Sequence, residues 1–547
     1  MCNIKIMFNR IANVQQKNKY SYIMSEIQSR QRVVDVVRQL FLKNGREMAM
    51  GMARRMLSPC FQTILLVMAC HCYEAWGLEL PEIIGSHAVF QQQSHVKLWG
   101  WAEPGTEVIV RVSWDNATQR CQAASDGLWE TYVDTPEASF STHAVTIEGD
   151  GTTLCLDDIL IGEVWLCSGQ SNMVMPLEGL RNCPTEGGNE EIALSSAYGG
   201  RVRVATIPQD QSIEQTPASR VHGKWSTPSP DVAASYSAVA WFYAKTLTDM
   251  LHVPVGVIVC AWGGSRVEGW LPREYLVANA MDEDLSCRLS PEGPNKSAMN
   301  LPMIMYNGLL NPVIGYGVKG VLWFQGESNV RRGRATYARR FTDMVEIWRK
   351  AWGRKPCDMP FYTVELTPHA YKNPKGKEAA EFRDMQHSLS ESIPYCGCVS
   401  TNDLMYDYEV DNIHGSMKRQ IGQRLAFMAA VRTYGVGDSA MCDAPRYESM
   451  RQGKNGSVIL VFKNAGNGFS RFTDIPGFEA AGEDRVFHPA SVRVTMKFNE
   501  LELRCEDVKG DIVAVRYNYY NWAPGHVWNT RGLPVVPFRT DNWPLDN

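Results

Sequence analysis

The chain has 547 residues, 44% of them hydrophobic and 21% charged, and a formal net charge of −4. That length exceeds one ordinary hydrophobic core, so two or three domains are expected. The small negative charge argues against nucleic acid as a partner, because nucleic-acid binding needs a basic face. The 16 Trp and 21 Tyr suit sugar stacking but suit the cores of β-modules better.

At the amino end, Arg54-Arg55-Met56 precedes the apolar run Phe61–Ala69 and then Cys70, His71 and Cys72. Basic residues, a short apolar segment and small residues make a secretory signal, and the run is too short to span a bilayer. Val67-Met68-Ala69-Cys70 has the form of a lipoprotein processing site, with Cys70 as the lipid anchor. Ordinary cleavage near Ala75-Trp76-Gly77 is the alternative. Both readings predict export to the periplasm, the cell surface or the medium. An export signal normally carries no long extension before it, so translation is expected to start at Met52 or Met56. Of the 15 Cys, Cys2, Cys60, Cys70 and Cys72 lie in or before this signal. Cys396-Gly397-Cys398 is too tight for a zinc knuckle and no second pair follows with His partners, so neither metal nor other cofactor is expected. Disulfide pairing cannot be read from the spacing.

From Leu80 to about Asp158, short apolar strands alternate with turn signals (VKLWGWAEPG, TEVIVRVSW, GLWETYVD, HAVTIEGDG), which predicts an antiparallel β-module. From Ile159 the pattern changes. Strands at Glu163–Cys167, Val255–Cys260, Gly320–Phe324, Phe361–Leu366 and Cys396–Ser400 alternate with helical patterns at Ala234–Leu251, Thr336–Trp352 and Lys418–Arg432. Such alternation implies a parallel sheet covered by helices on both faces. Beyond about Ala440 short strands return (SVILVFKN, ASVRVTMKF, DIVAVRYNYY). The expected organisation is an extension and signal over 1–77, a β-module over 78–158, an α/β domain over 159–438 and a second β-module over 439–547. The two β-modules stand either apart or packed as one discontinuous domain.

Four loops follow predicted strands or precede a helix. They are Gly169-Gln170-Ser171-Asn172, then AWGGSRVEGW with Gly263-Gly264-Ser265, then Gln325-Gly326-Glu327-Ser328-Asn329, and Asp411-Asn412-Ile413-His414. Each has an ordinary reading alone: a turn, a tight double glycine, a helix cap and a surface histidine. Together they hold the parts that acyl transfer needs. A serine hydroxyl needs a base to take its proton, a carboxylate must orient that imidazole, and N–H groups must meet the oxyanion. Loops of a parallel sheet converge on one edge, so four distant segments can meet there.

GQSNM after a strand, GGS followed by Glu and Trp, WFQGESN, and an acid three residues before a His form the block pattern of SGNH hydrolases. More narrowly, the chain resembles the sialate O-acetylesterase family, which HAVFQQQ and the closing segment YNYYNWAPGHVWNTRGLPVVPFRTD also resemble. The resemblance implies an α/β fold: an SGNH-hydrolase-like parallel sheet flanked by helices, with accessory antiparallel β-sandwich modules. It also implies that Ser171 is the nucleophile, His414 the general base and Asp411 the orienting acid, with Asp403 or Asp407 as alternatives. Oxyanion donors would be the N–H groups of Ser171 and Gly264 and the amide of Gln325, with Asn329 as a second candidate. Gly415 stands where the family usually has Pro. Gln170 and Asn172 are read as turn-shaping residues and Glu327 as an anchor for the Gln325 loop. Arg266 is a candidate for a substrate carboxylate, or simply a partner of Glu268.

The expected activity is a serine carbohydrate esterase that removes O-acetyl groups from sialic acids by an acyl-enzyme route. The same residues would serve another acetylated glycan such as xylan or pectin, because pocket walls set specificity. A glycan-binding protein without turnover is the reading from another class, and the intact Ser171, Asp411 and His414 argue against it. The aromatic tail Tyr517–Trp528 reads as a packed module edge rather than a sugar platform.

Overall fold

The computed structural model describes residues 77–545 apart from 210–222, 281, 284 and 286–297. The extension, the signal and Cys70 therefore lie outside the described residues. Six short strands come first: β1 (Val89–Gln91), β2 (His95–Trp101), β3 (Glu107–Val112), β4 (Thr118–Gln122), β5 (Leu128–Asp134) and β6 (Ser139–Gly149). β2 pairs antiparallel with β5, and β3 with β4 and β6. Exposed and buried positions alternate along β3 and β5, as in a sheet with one wet face.

The next strand, β7 (Thr152–Gly169), joins this module to the rest of the protein. Its first half pairs antiparallel with β6 and is mostly exposed. From Ile159 to Gly169 every residue is buried, which a continuous apolar run requires in a sheet covered on both sides. This half runs parallel to β1 and stands at the centre of a second set of strands. These are β8 (Val202–Thr206), β9 (Trp225–Ser226), β10 (Val255–Ala261), β11 (Gly320–Phe324), β12 (Phe361–Val364) and β13 (Cys396–Val399). Their order is β13-β12-β11-β7-β10-β8-β9, with every pair parallel except β8–β9. The parallel sheet expected from strand–helix alternation is thus present.

Its two faces bury different clusters. On one, Leu166, Ile258, Val321 and Trp323 pack with Phe341 and Trp348 of the helix Arg334–Ala351, in a cluster that continues into Val96, Val110 and Trp129 of the first module. On the other, Trp165, Cys167, Val257 and Leu322 pack with the helices Ala238–Leu251 and Lys418–Arg432. The first of these helices begins later than the pattern suggests because the Ser237 hydroxyl caps it, accepting from the Ala240 N–H at 3.2 Å.

Two elements go beyond the sequence reading. β8 carries a buried Arg203 paired with Asp158 at 2.8 Å, which breaks its apolar pattern. The helix Glu378–Ser392 buries Arg383, Gln386 and His387, so polar residues hide its inner face.

The closing strands form two antiparallel four-stranded sheets around a third cluster. One is β14 (Arg446–Gln452), β15 (Val458–Lys463), β19 (Glu500–Arg504) and β18 (Ser491–Val494). The other is β17 (His488–Pro489), β16 (Phe478–Ala481), β20 (Ala514–Tyr517) and β21 (Phe538–Arg539). Phe462, Phe478, Tyr517 and Phe538 meet between them. Among the described residues no sheet joins these strands to β1–β6. The tail Tyr517–Trp528 is packed, with Tyr517 and Tyr519 buried and the Trp528 indole donating to Asp403 at 2.7 Å. All described cysteines are free thiols.

Register positions the site. Gly169 of β7 lies opposite both Ala261 of β10 and Phe324 of β11, so three loops leave the sheet at one level. Gly169 has φ +134°, and a Cβ there would meet the Phe324 carbonyl oxygen at 2.1 Å. Gly169→Ala should therefore cost roughly 1–3 kcal/mol or more, read as a lowered unfolding midpoint. An unchanged midpoint would contradict the close approach.

Candidate active site

Gln170 opens the turn after β7. Its Oε1 accepts from the Gln325 amide at 3.2 Å and from the N–H groups of Gly326 and Ser328 at 3.3 Å each. Ser171 follows at the first position of a single helical turn, Ser171–Val174, half-buried beside Gly263. Asn172 is fully buried. Its amide donates to Glu327 at 2.5 Å and to the Ile413 carbonyl at 3.1 Å, and its oxygen accepts from Lys418 at 2.7 Å. Gln170 and Asn172 shape the turn as expected from their polar side chains. The bond from Asn172 to Ile413 brings the serine segment against the histidine segment, residue 172 to residue 413.

His414 is half-buried, and its Nε2 is buried without a protein partner. Its pKa is lowered to about 4, first by burial, then by the charges of Lys418 and His369. A lysine with no exposure sits behind it; burial lowers the Lys418 pKa to about 8 against the opposing pull of Glu327 and Glu409. Glu327 bonds Asn172, and burial raises its own pKa.

The structure does not pair Asp411 with His414. The segment between them is a loop closed by Asn412, whose oxygen accepts from the His414 N–H and whose amide donates to the His414 carbonyl, each at 2.9 Å. Without a helical turn, positions three apart do not share a face. Asp411 is exposed, and its charge acts on His369. Asp403 is committed elsewhere, held by Arg424 through two bonds of 2.7 Å and by Trp528. Asp407 is exposed in the short turn Asp407–Glu409.

Among the expected oxyanion donors, the N–H groups of Ser171 and Gly264 donate to no protein acceptor among the described residues. Gly264 has φ +77°, a left-handed turn that suits glycine. Gln325 and Asn329 are not aimed at this position. The Gln325 amide is buried and spent on Gln170, on the Ser265 carbonyl at 3.0 Å and on Asn329 at 2.8 Å. Asn329 accepts from Gln325 and from the Val267 N–H, and donates to Glu268 and the Arg332 carbonyl. Both amides brace the loops from beneath.

Residues 161–430 match the model of a family described as carbohydrate esterase, sialic acid-specific acetylesterase. The matched span takes in every expected site residue. That span of the chain belongs to this family. It is 27% identical to the sialate O-acetylesterase of Mus musculus, over 88% of this chain and 97% of that one. It is 27% identical to that of Homo sapiens, over 84% and 92%. In structure it resembles a carbohydrate acetylesterase from Xanthomonas citri, with a TM-score of 0.74, 29% identity, and coverage of 85% of this chain and 100% of that one.

For this esterase, Arg266 is not a surface residue. It is 2% exposed, bonded to Glu283 at 3.0 and 2.8 Å and to the Asn300 carbonyl at 3.0 Å, and it lies 3.4 Å from Glu268. Arg340 completes the network with Glu268 and Asp282, each at 2.5 Å. Pairing with Glu268 was the alternative reading of Arg266, and the pair is buried rather than solvated.

Sequence reasoning passed over three residues near the site. Lys418 was only a helix start. His369 and Tyr371 lie in the loop after β12, so the rule that placed the other loops at the sheet edge could have found them.

Arg266→Ala should destabilise the protein by about 3–5 kcal/mol, because it leaves buried carboxylates uncompensated. Chemical denaturation checks this, and a stable variant with weakened substrate binding would point instead to a surface role.

Proposed function

We propose that this chain hydrolyses the O-acetyl esters of sialic acids through an acetyl-serine intermediate on Ser171. The observation that carries this reading is the bond from Asn172 to the Ile413 carbonyl, one residue from Ser171 on one side and one residue from His414 on the other. The names of the curated relatives supply the substrate class.

In this reading His414 Nε2, which has no protein partner, takes the proton of Ser171 as the hydroxyl oxygen attacks the acetyl carbonyl carbon. The negative charge that develops on the carbonyl oxygen is met by the N–H groups of Ser171 and Gly264. Collapse expels the sugar oxygen, which takes its proton from His414. Water, deprotonated by the same imidazole, then attacks the acetyl group and restores the serine. Asp411 is the orienting acid of this scheme; exposed and without an ion pair among the described residues, its carboxylate is free to turn toward the ring. The basic, apolar and small residues of 54–72 support export. No helix among the described residues is long and apolar enough to cross a membrane.

Two measurements test the scheme. Ser171→Ala should lower acetate release from O-acetylated sialic acid by roughly 10⁴-fold or more, with acetylated xylan assayed in parallel to compare substrate classes. Ester hydrolysis that survives in this variant would end the proposal.

The second is the pH profile. The base must be neutral to act, so kcat/KM should fall as pH drops through about 4, the value of His414. Lys418→Met removes a charge that opposes protonation of His414, so this acid limb should move to higher pH. A limb at the same pH in both proteins would detach Lys418 from the histidine.

A further inference from the structure

The loop after β12 reads Thr367-Pro368-His369-Ala370-Tyr371-Lys372. It leaves the sheet at the same carboxyl edge as the loops that carry Ser171, Gly264 and Glu327, since β12 runs parallel to β11. Its backbone is held on both sides. The His369 N–H donates to the Asn521 carbonyl at 3.1 Å, and the Ala370 N–H to the Val410 carbonyl at 2.9 Å, in the segment that leads to His414.

Two consecutive residues of this loop, Tyr371 and Lys372, have φ of +48° and +68°. A left-handed pair without glycine is unfavourable, and such strain concentrates where a site needs it. It carries two polar atoms that find no hydrogen-bond partner in the protein, although the His369 ring also interacts with the Val410 backbone. The Tyr371 side chain is 7% exposed with its hydroxyl unpaired, and His369 Nδ1 is buried and unpaired. Buried polar groups are nearly always bonded, so two unpaired atoms in one loop at the sheet edge leave a place for an outside partner. The two rings pack edge to face at 4.7 Å.

Charge singles out a third residue. Burial lowers the His369 pKa, with Asp411 opposing and Arg331 reinforcing the shift. Burial raises that of Tyr371, Glu327 adding to the rise while Arg383 and Arg331 oppose it. Arg331 follows the Gln325–Asn329 loop after β11, the parallel neighbour of β12, and its charge acts on both rings, as that of His369 acts on His414. Arg331 also lines a cleft of about 640 Å³ with Arg334, Glu378 and Asp282, a size suited to a small ligand. The other charges of this cleft are engaged: Arg334 with Glu381 at 3.1 Å, Glu378 with the Asn521 amide at 2.8 Å, and Asp282 with Arg340. Arg331 is exposed and makes no ion pair or hydrogen bond among the described residues.

We propose that Arg331, Tyr371 and His369 form an acid-sugar subsite: the Arg331 guanidinium takes the substrate carboxylate, and Tyr371 and His369 take its neighbouring polar groups. An arginine fork matches a carboxylate in shape and charge, so this subsite would select a sugar acid over a neutral acetylated sugar. The assignment rests on the sialic acid reading given above, and it moves the carboxylate contact from the buried Arg266 to a guanidinium that is free.

The test compares an O-acetylated sialic acid with its methyl ester, which keeps the acetyl group and loses the carboxylate charge. p-Nitrophenyl acetate is assayed beside them. Wild-type enzyme should prefer the free acid. Arg331→Ala should lose tenfold or more in kcat/KM on the free acid, mainly through KM, so that its ratio of free acid to methyl ester falls toward one. Arg331→Lys should recover part of that ratio, and Tyr371→Phe should weaken both sialic acid substrates. Because the ratio is taken within each variant, it does not depend on how much protein is folded. A wild type with no preference for the free acid, or an Arg331→Ala ratio equal to wild type, overturns the subsite alone. A wild type that cleaves the aryl acetate but neither sialic acid substrate overturns the function reading, and the subsite with it.

Discussion

Everything at the carboxyl edge of the sheet depends on a layer of buried side-chain amides. Gln170, Asn172, Gln325 and Asn329 lie beneath the site, 0 to 3% exposed, and each joins one strand-end loop to another. Gln170 ties the turn after β7 to the loop after β11, Gln325 ties that loop to the one after β10, and Asn172 reaches the histidine loop. A single bond of this kind contributes about 1 kcal/mol net, but an orphaned buried partner costs about 1–3 kcal/mol. The layer is therefore cooperative in its geometry: loosening one amide leaves others without partners. Shared register at Gly169, Ala261 and Phe324 brings the loops to one level, and the amides lock them there.

Beneath and beside this layer the charges are sorted by purpose. Arg266, Glu268, Glu283 and Arg340 form a buried network that ends at the exposed Asp282 and holds the Asn329 amide through Glu268. Lys418 and Glu327 are also buried, but both bond Asn172, so their charges lie directly behind the serine and histidine segments. The lysine holds His414 toward its neutral form and at the same time fixes the amide that joins the two segments. A positive charge near a general base weakens it as a base, and in exchange the imidazole stays unprotonated well into acid. Arg331 differs from these in being exposed and unpaired.

Some of this was legible in the residues. A run such as Glu163–Cys167 reads as a buried strand, and the polar turn that follows then stands at the sheet edge. That reasoning put the loops of Ser171 and Gly264 at one edge before any contact was known, and the register of Gly169 with Ala261 places them there. It failed where side-chain direction decides. Gln325 and Asn329 are the right residue type for oxyanion donors, yet their amides point down into the loop layer. Arg266 stands two residues from Gly264 and is nonetheless turned into the core. The helix Glu378–Ser392 was passed over because its inner face carries Arg383, Gln386 and His387, whose partners are distant in sequence.

By itself the order of residues determined the alternation of strand and helix, the parallel sheet, and which loops would share an edge. These follow from hydrophobic period and turn chemistry, which are local properties of a chain. Only the tertiary structure decided which polar side chains face the site and which brace it from below. That choice depends on where each donor finds its acceptor, and the acceptors at residues 172, 327, 413 and 521 come from segments far apart along the chain. His369 and Tyr371 belong to the same class: ordinary loop residues in one dimension, and unpaired buried polar groups near the histidine in three.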